Sequence, residues 1–207
     1  MLHIRIVFSL ASVGLILVLV ACAQTSPLDD YEAVAPTAAL DQPEPRADTV
    51  CPPELVSHGK YLVKLLGCGG CHTHGALIGD PDSARLLAGS SIGIAFTDPL
   101  ENPLPGVVYP PNLTPDPKTG LGGRSEAEII NMIRTRAGRH GFTTSLSVMP
   151  WTVYQSINDQ DIKAIASYLV SLPPVKHQVP KSSQRGQKAP APYVHFGVYR
   201  SKGLLEP

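Results

Sequence analysis

In the run LLGCGGCHTHG, residues 65–75, two thiols stand three positions apart and an imidazole directly follows the second. Cys68, Cys71 and His72 at that spacing suit four chemistries: half of a zinc site, the redox dithiol of a thioredoxin-like enzyme, a disulfide, or the double thioether attachment of a c-type haem. Zinc needs a second pair of ligands, and the other two cysteines, Cys22 and Cys51, are far apart in the chain. A mixed site using His72, His74 or His140 has no recognised ligand spacing. A redox dithiol belongs at the start of a helix in a strand-rich α/β pattern, which the flanking residues do not show. A disulfide across two residues is strained. In the remaining reading both thiols add to the vinyl groups of one haem, haem c, and His72 follows in position to bind the iron.

An iron held in this way has a second axial position. Outside the N-terminal segment the chain has two methionines. Met132 falls on the apolar stripe of a helix, where packing explains it. Met149 lies in SLSVMPW, a stretch without helical period in which Pro150 keeps the backbone extended, so its thioether is the candidate sixth ligand. His58, His74, His140, His177 and His195 stay open as a second imidazole; most read as surface residues, His74 among them. Leu62, Leu66, Leu113, Trp151 and Leu169 are candidates for an apolar shell that would disfavour the more highly charged ferric state. With both axial positions filled there is no open site for substrate. The expected role is therefore an electron carrier rather than an enzyme. A displaceable Met149 would instead make a haem-based sensor or a peroxidase-like protein.

Three helices must position these residues. The first runs from about Pro53 to Leu66 and delivers the chain to GCGGCH, whose glycines let the backbone turn tightly. The second begins at Ser125, where Ser125 and Glu128 form a capping box and Ile129, Met132, Ile133 and Arg136 follow one face up to Gly138. The last opens on Asn158 as N-cap, presents Ile162, Ile165, Ala166 and Leu169 on one face, and stops at Pro173. Between His72 and Ser125 there is almost no periodicity, and a connection that long in a compact domain normally wraps something. The expectation is an all-α domain over residues 51–175 wrapped around one haem.

The flanks read differently. MLHIR precedes a run from Ile6 to Val20 without a charge, the length of a signal-peptide core and short for a membrane span. It ends in LVAC, which resembles the lipobox of bacterial lipoproteins and makes residues 1–21 the signal and Cys22 a lipidated N-terminus. The protein is then exported, on the periplasmic side, and held at a bacterial membrane by its lipid. Residues 22–50 are acidic and rich in proline, with six acids against Arg46, and read as a disordered tether. Residues 176–207 carry six bases against Glu206 and read as a tail partly packed on the domain. The chain holds 17 acidic and 17 basic residues. That balance gives no reason to expect nucleic acid as a partner.

The order helix, CxxCH, long loop, helix, MPW, final helix resembles the class I cytochrome c family. More narrowly, YPPNLTPDPKTGLGGRSEAEIINMIRTR together with MPWTVYQSINDQDIKAIASYLVSLPPV is similar to the cytochrome c domains of bacterial membrane-bound alcohol, aldehyde and gluconate dehydrogenases. The similarity covers roughly Leu55 to Val175. It implies that Cys68 and Cys71 hold the haem, that His72 and Met149 are its axial ligands, and that the NLTPD segment packs along the haem edge. It also implies redox protein partners: a dehydrogenase, an oxidase or another cytochrome, with a role either as a carrier or as the docking subunit of a dehydrogenase complex. Two features depart from the pattern. Those subunits usually carry three haem motifs in series where this chain has one, and a position that is often tryptophan is Arg124 here, expected to face solvent.

Overall fold

The computed structural model describes residues 40–135 and 148–196. Helix α1 spans Pro53–Leu65, with a proline at its first position where the missing amide hydrogen costs nothing. A single turn, α2 (Cys68–His72), follows after Gly67 adopts a left-handed conformation, φ 67°. Helix α3 is Glu126–Thr135, α4 the short Trp151–Tyr154, and α5 Asp159–Ser171. Both predicted caps are present. Glu128 accepts from the backbone and hydroxyl of Ser125 at 2.7 and 2.8 Å. Asn158 Oδ1 accepts from the Asp161 amide at 2.8 Å. Arg136 and Gly138 lie outside the described residues.

The principal core is the contact of α1 with α5. Val56 and Val63 of α1 pack with Ile165, Tyr168 and Leu169 of α5 and Ile129 of α3. Each such aliphatic side chain removed from water contributes about 1.5–3 kcal/mol. Where the helices meet, α1 carries Gly59: a Cβ there would lie 1.9 Å from the Ala164 carbonyl oxygen and 2.7 Å from Tyr168 Cβ. His58 of α1 also bonds Asp161 of α5 at 2.7 Å.

The all-α expectation requires correction. A three-stranded sheet in the order β2-β1-β3 lies among the described residues, with β1 Gly93–Ala95, β2 Val107–Val108 and β3 Tyr193–His195. Strand β1 pairs antiparallel with β2, Ile94 opposite Val108, and parallel with β3, Ile94 opposite Val194. Strands of two or three residues are too short to display an alternating pattern, and β3 comes from the C-terminal tail, far away in sequence. Tail residues 176–196 are woven into the domain: His177 and Ser183 are buried, and Ser183 exchanges backbone hydrogen bonds with Val107 at 2.9 and 3.0 Å.

The last part of the expected tether is also docked. Tyr168 donates its hydroxyl to the Pro43 carbonyl at 2.6 Å, the Arg46 amide donates to Ser171 at 2.8 Å, and Glu44 and Asp41 pair with Lys60 and Lys64 of α1. Residues 40–46 therefore form a strap over α1 and α5, which leaves the tether reading to residues 22–39. Those residues, like the signal segment and Cys22, lie outside the described part of the chain.

The helix contact yields a prediction. Gly59→Ala should destabilise the protein by about 3 kcal/mol, because the added methyl meets backbone rather than a yielding side chain. Urea denaturation reads this, and an unchanged midpoint would show that α1 and α5 do not meet so closely.

Candidate haem-binding site

Gly67 breaks α1 and starts the single turn α2, which brings Cys68, Cys71 and His72 together. The two thiols are not joined to each other. Cys68 packs on the principal core with Leu62, Leu66 and Leu113, three of the shell residues expected from sequence; Leu169 is buried in the same cluster. Cys71 faces a second cluster, Leu77, Ile92 and Ile94. Burial pushes the Cys68 thiol up to about 11 and raises that of Cys71 as well.

His72 is buried at 9% exposure, and Nδ1 lies 2.8 Å from the Pro111 carbonyl oxygen. A carbonyl only accepts, so Nδ1 carries the hydrogen and Nε2 keeps its lone pair. Burial also lowers the affinity of this imidazole for a second proton, its largest influence, against the opposing effect of the Pro111 bond. The result is a neutral imidazole with one nitrogen oriented by backbone and the other available as a donor.

Met149 is half-buried in the bend before α4. The residue before it, Val148, packs in the same cluster as Cys71. The chain thus returns to the cysteine turn from the far end of the domain. Tyr154 of α4, not singled out from sequence, arrives with it: it is buried at 7% exposure, and burial, with smaller contributions from the neighbouring Cys68 and Cys71, pushes its hydroxyl up to about 12. Only its three-residue spacing from Trp151 hinted at a shared face. Trp151 itself is half-buried.

Among the described residues, three of the histidine alternatives have hydrogen-bonded rings. His58 bonds Asp161. His177 is buried, with Nδ1 2.9 Å from Ala88 O and Nε2 3.2 Å from Ser91 Oγ. His74, expected to be exposed, is half-buried, accepts from the Ser91 amide at 3.2 Å and meets the His177 ring edge-on. His195 belongs to β3, and His140 lies outside the described residues. Arg124 is exposed, as expected.

The NLTPD segment forms a tight hydrogen-bonded loop beside Pro111. Asp116 Oδ1 accepts from the Thr119 hydroxyl and amide, both at 2.7 Å, and from the Lys118 amide at 3.2 Å. The Thr119 hydroxyl, followed by these amides, holds its carboxyl below the usual carboxylate range. A depressed folded value contributes stability that is present above the unfolded value and is lost as pH falls through the folded one.

The family model for cytochrome c matches residues 56–173, more than half of the chain. A nicotinate dehydrogenase subunit of Pseudomonas putida is 31% identical over 63% of this chain and 10% of its own length. The cytochrome c subunit of the quinone alcohol dehydrogenase of Gluconobacter oxydans is 30% identical over 56% of this chain and 21% of its own. The gluconate 2-dehydrogenase cytochrome c subunit of Pantoea cypripedii is 29% identical over 60% of this chain and 24% of its own. The chain therefore matches a quarter or less of the length of these curated relatives. The match implies covalently bound haem c, and the residues present fit that group: two unpaired thiols on one helical turn, an adjacent neutral imidazole with a free donor nitrogen, and apolar clusters around them.

The Asp116 loop generates a prediction for acid solution. Wild-type stability should decline as pH falls from about 4 toward 2, and Asp116→Asn, which cannot titrate, should flatten that decline. Thermal melts across the range read the slope, and equal slopes in both proteins would remove Asp116 from the account.

Proposed function

The chain belongs to the cytochrome c family, and from that premise we propose that it is a membrane-tethered, single-haem carrier of electrons with His72 and Met149 as axial ligands. The observation that carries this reading is the buried His72 ring, whose Nδ1–H is committed to the Pro111 carbonyl beside two free thiols. Cys68 and Cys71 would hold the haem through thioether bonds, so that it cannot dissociate. When bound, the haem supplies a one-electron ferric/ferrous couple. His72 provides a firm nitrogen donor on one side. Met149 is supported as the second ligand because its segment packs in the Cys71 cluster, whereas both ring nitrogens of His177 are taken by Ser91 and Ala88 and His58 is bonded to Asp161. A thioether in that position favours the ferrous state relative to a second imidazole. The apolar side chains around Cys68 and Cys71 exclude water and act in the same direction.

Two of these relatives are cytochrome c subunits of dehydrogenases, which supports a redox protein as donor and an oxidase or a further cytochrome as acceptor. Export to the periplasmic side and lipidation at Cys22 are supported by the charge-free run and the LVAC motif.

Carbon monoxide separates this carrier from a sensor or peroxidase-like protein. The reduced wild type should bind none at neutral pH. Met149→Ala should bind it readily, lose the weak near-infrared sulfur-to-iron band when oxidised, and fall in potential by on the order of 0.1 V. Ready binding by the wild type would overturn the carrier reading in favour of a displaceable sixth ligand.

A further inference from the structure

The imidazole of His72 is only as well oriented as the Pro111 carbonyl that it meets. Two sets of hydrogen bonds outside the CGGCH turn hold that carbonyl's segment, and a third contact joins it to the backbone of His72. Asn112, the next residue, is buried at 2% exposure and uses its full hydrogen-bonding capacity. Its Nδ2 donates to the Val175 carbonyl at 2.8 Å and to Thr119 Oγ1 at 3.1 Å. Its Oδ1 accepts from the Thr114 amide at 2.9 Å and the Thr114 hydroxyl at 2.8 Å. On either side, the Ser90 amide donates to Pro110 at 3.0 Å and the Leu113 amide donates to Leu87 at 2.8 Å. Leu87 is fully buried with φ 59°, a strained conformation for a leucine that its surroundings must enforce. Last, the Gly89 amide donates to the His72 carbonyl at 2.8 Å. A Cβ at Gly89, whose φ is 85°, would lie 2.8 Å from Asn112 N and 2.9 Å from the Pro111 carbonyl carbon. The ligand's own backbone and the carbonyl that orients its ring therefore touch through one glycine.

We propose that Asn112 is a positioning residue for His72: its four hydrogen bonds hold the Pro111 carbonyl against Nδ1–H and thereby lower the potential of the iron bound at Nε2. The inference rests on His72 being an axial ligand, as read above. A hydrogen bond accepted from Nδ1–H makes the imidazole a stronger donor at Nε2, which favours the ferric state. Releasing the carbonyl weakens that bond and favours the ferrous state.

The experiment uses the holoprotein, with midpoint potentials from spectroelectrochemistry and hydrogen exchange of His72 Nδ1–H by NMR in the reduced form. Asn112→Ala should shift the ferrous-to-ferric ratio at a fixed ambient potential roughly 10-fold toward ferrous, which for a one-electron couple is about 59 mV upward. The exchange of Nδ1–H should also be faster. Thr119→Val removes one acceptor of Asn112 and should give a smaller shift of the same sign, while Thr119→Ser should keep the wild-type value; this pair carries the test if Asn112→Ala does not fold. Ile162→Ala, in α5 and fully buried, should lower the melting temperature without moving the potential. The inference is overturned if Asn112→Ala and Thr119→Val lose stability while keeping the wild-type potential and slow Nδ1–H exchange, or if Ile162→Ala moves the potential equally. A His72→Ala holoprotein that keeps the wild-type low-spin spectrum would overturn the axial reading itself. That outcome is distinct, because a failure confined to Asn112 leaves the spectrum dependent on His72.

Discussion

A hydrogen bond from His72 Nδ1–H to the Pro111 carbonyl joins the cysteine turn to the loop that returns to it. It fixes the tautomer of a buried imidazole, and a buried imidazole left without a partner would be costly in an apolar environment. Forming it requires a residue 39 positions away to come within 2.8 Å. The loop between them must therefore fold back on itself. Much of its irregular structure serves that return: the strained Leu87, the close passage at Gly89, and the Asn112 side chain that bonds the Val175 carbonyl, four residues beyond α5.

The helices supply the rigid frame against which this return is made. Contact of α1 with α5 is made close by Gly59 and filled by Val56, Val63, Ile165, Tyr168 and Leu169. It places the start of α2, and so Cys68, on the principal core. The strap of residues 40–46 seals the frame from outside, and part of it reaches the cysteine turn: a Cβ at Gly69 would lie 3.3 Å from Gln42 Nε2 and 3.5 Å from Leu40 Cδ1. From the other end the tail adds β3 and sets Val194 against the apolar cluster that Cys71 also meets. A unit defined by the family match alone, residues 56–173, omits both of these covers.

Much of this was legible in the sequence, for identifiable reasons. Helices of ten or more residues announce themselves through caps and apolar spacing, which is why Ser125–Glu128 and Asn158 mark their starts correctly. The cysteine turn was legible because three reactive groups in five residues restrict the chemistry sharply. What escaped was short or distant. Strands of two or three residues carry no period, and β3 finds its partner about a hundred residues away. The strap looked like linker because its acids and prolines carry no apolar pattern; its docking comes from backbone carbonyls and ion pairs instead. His74 looked exposed, and the burial of His177 went unseen, because their partners are Ser91 and Ala88, which no local pattern connects to them.

A carrier of this design depends on the cofactor being permanent and single. The most direct measurement is a pyridine haemochrome spectrum of the purified protein together with its iron-to-chain ratio. One haem per chain is expected, with the α-band of two saturated vinyl groups, in keeping with attachment at both Cys68 and Cys71. A chain free of haem, an α-band of unmodified protohaem, or stoichiometric zinc in place of iron would contradict it.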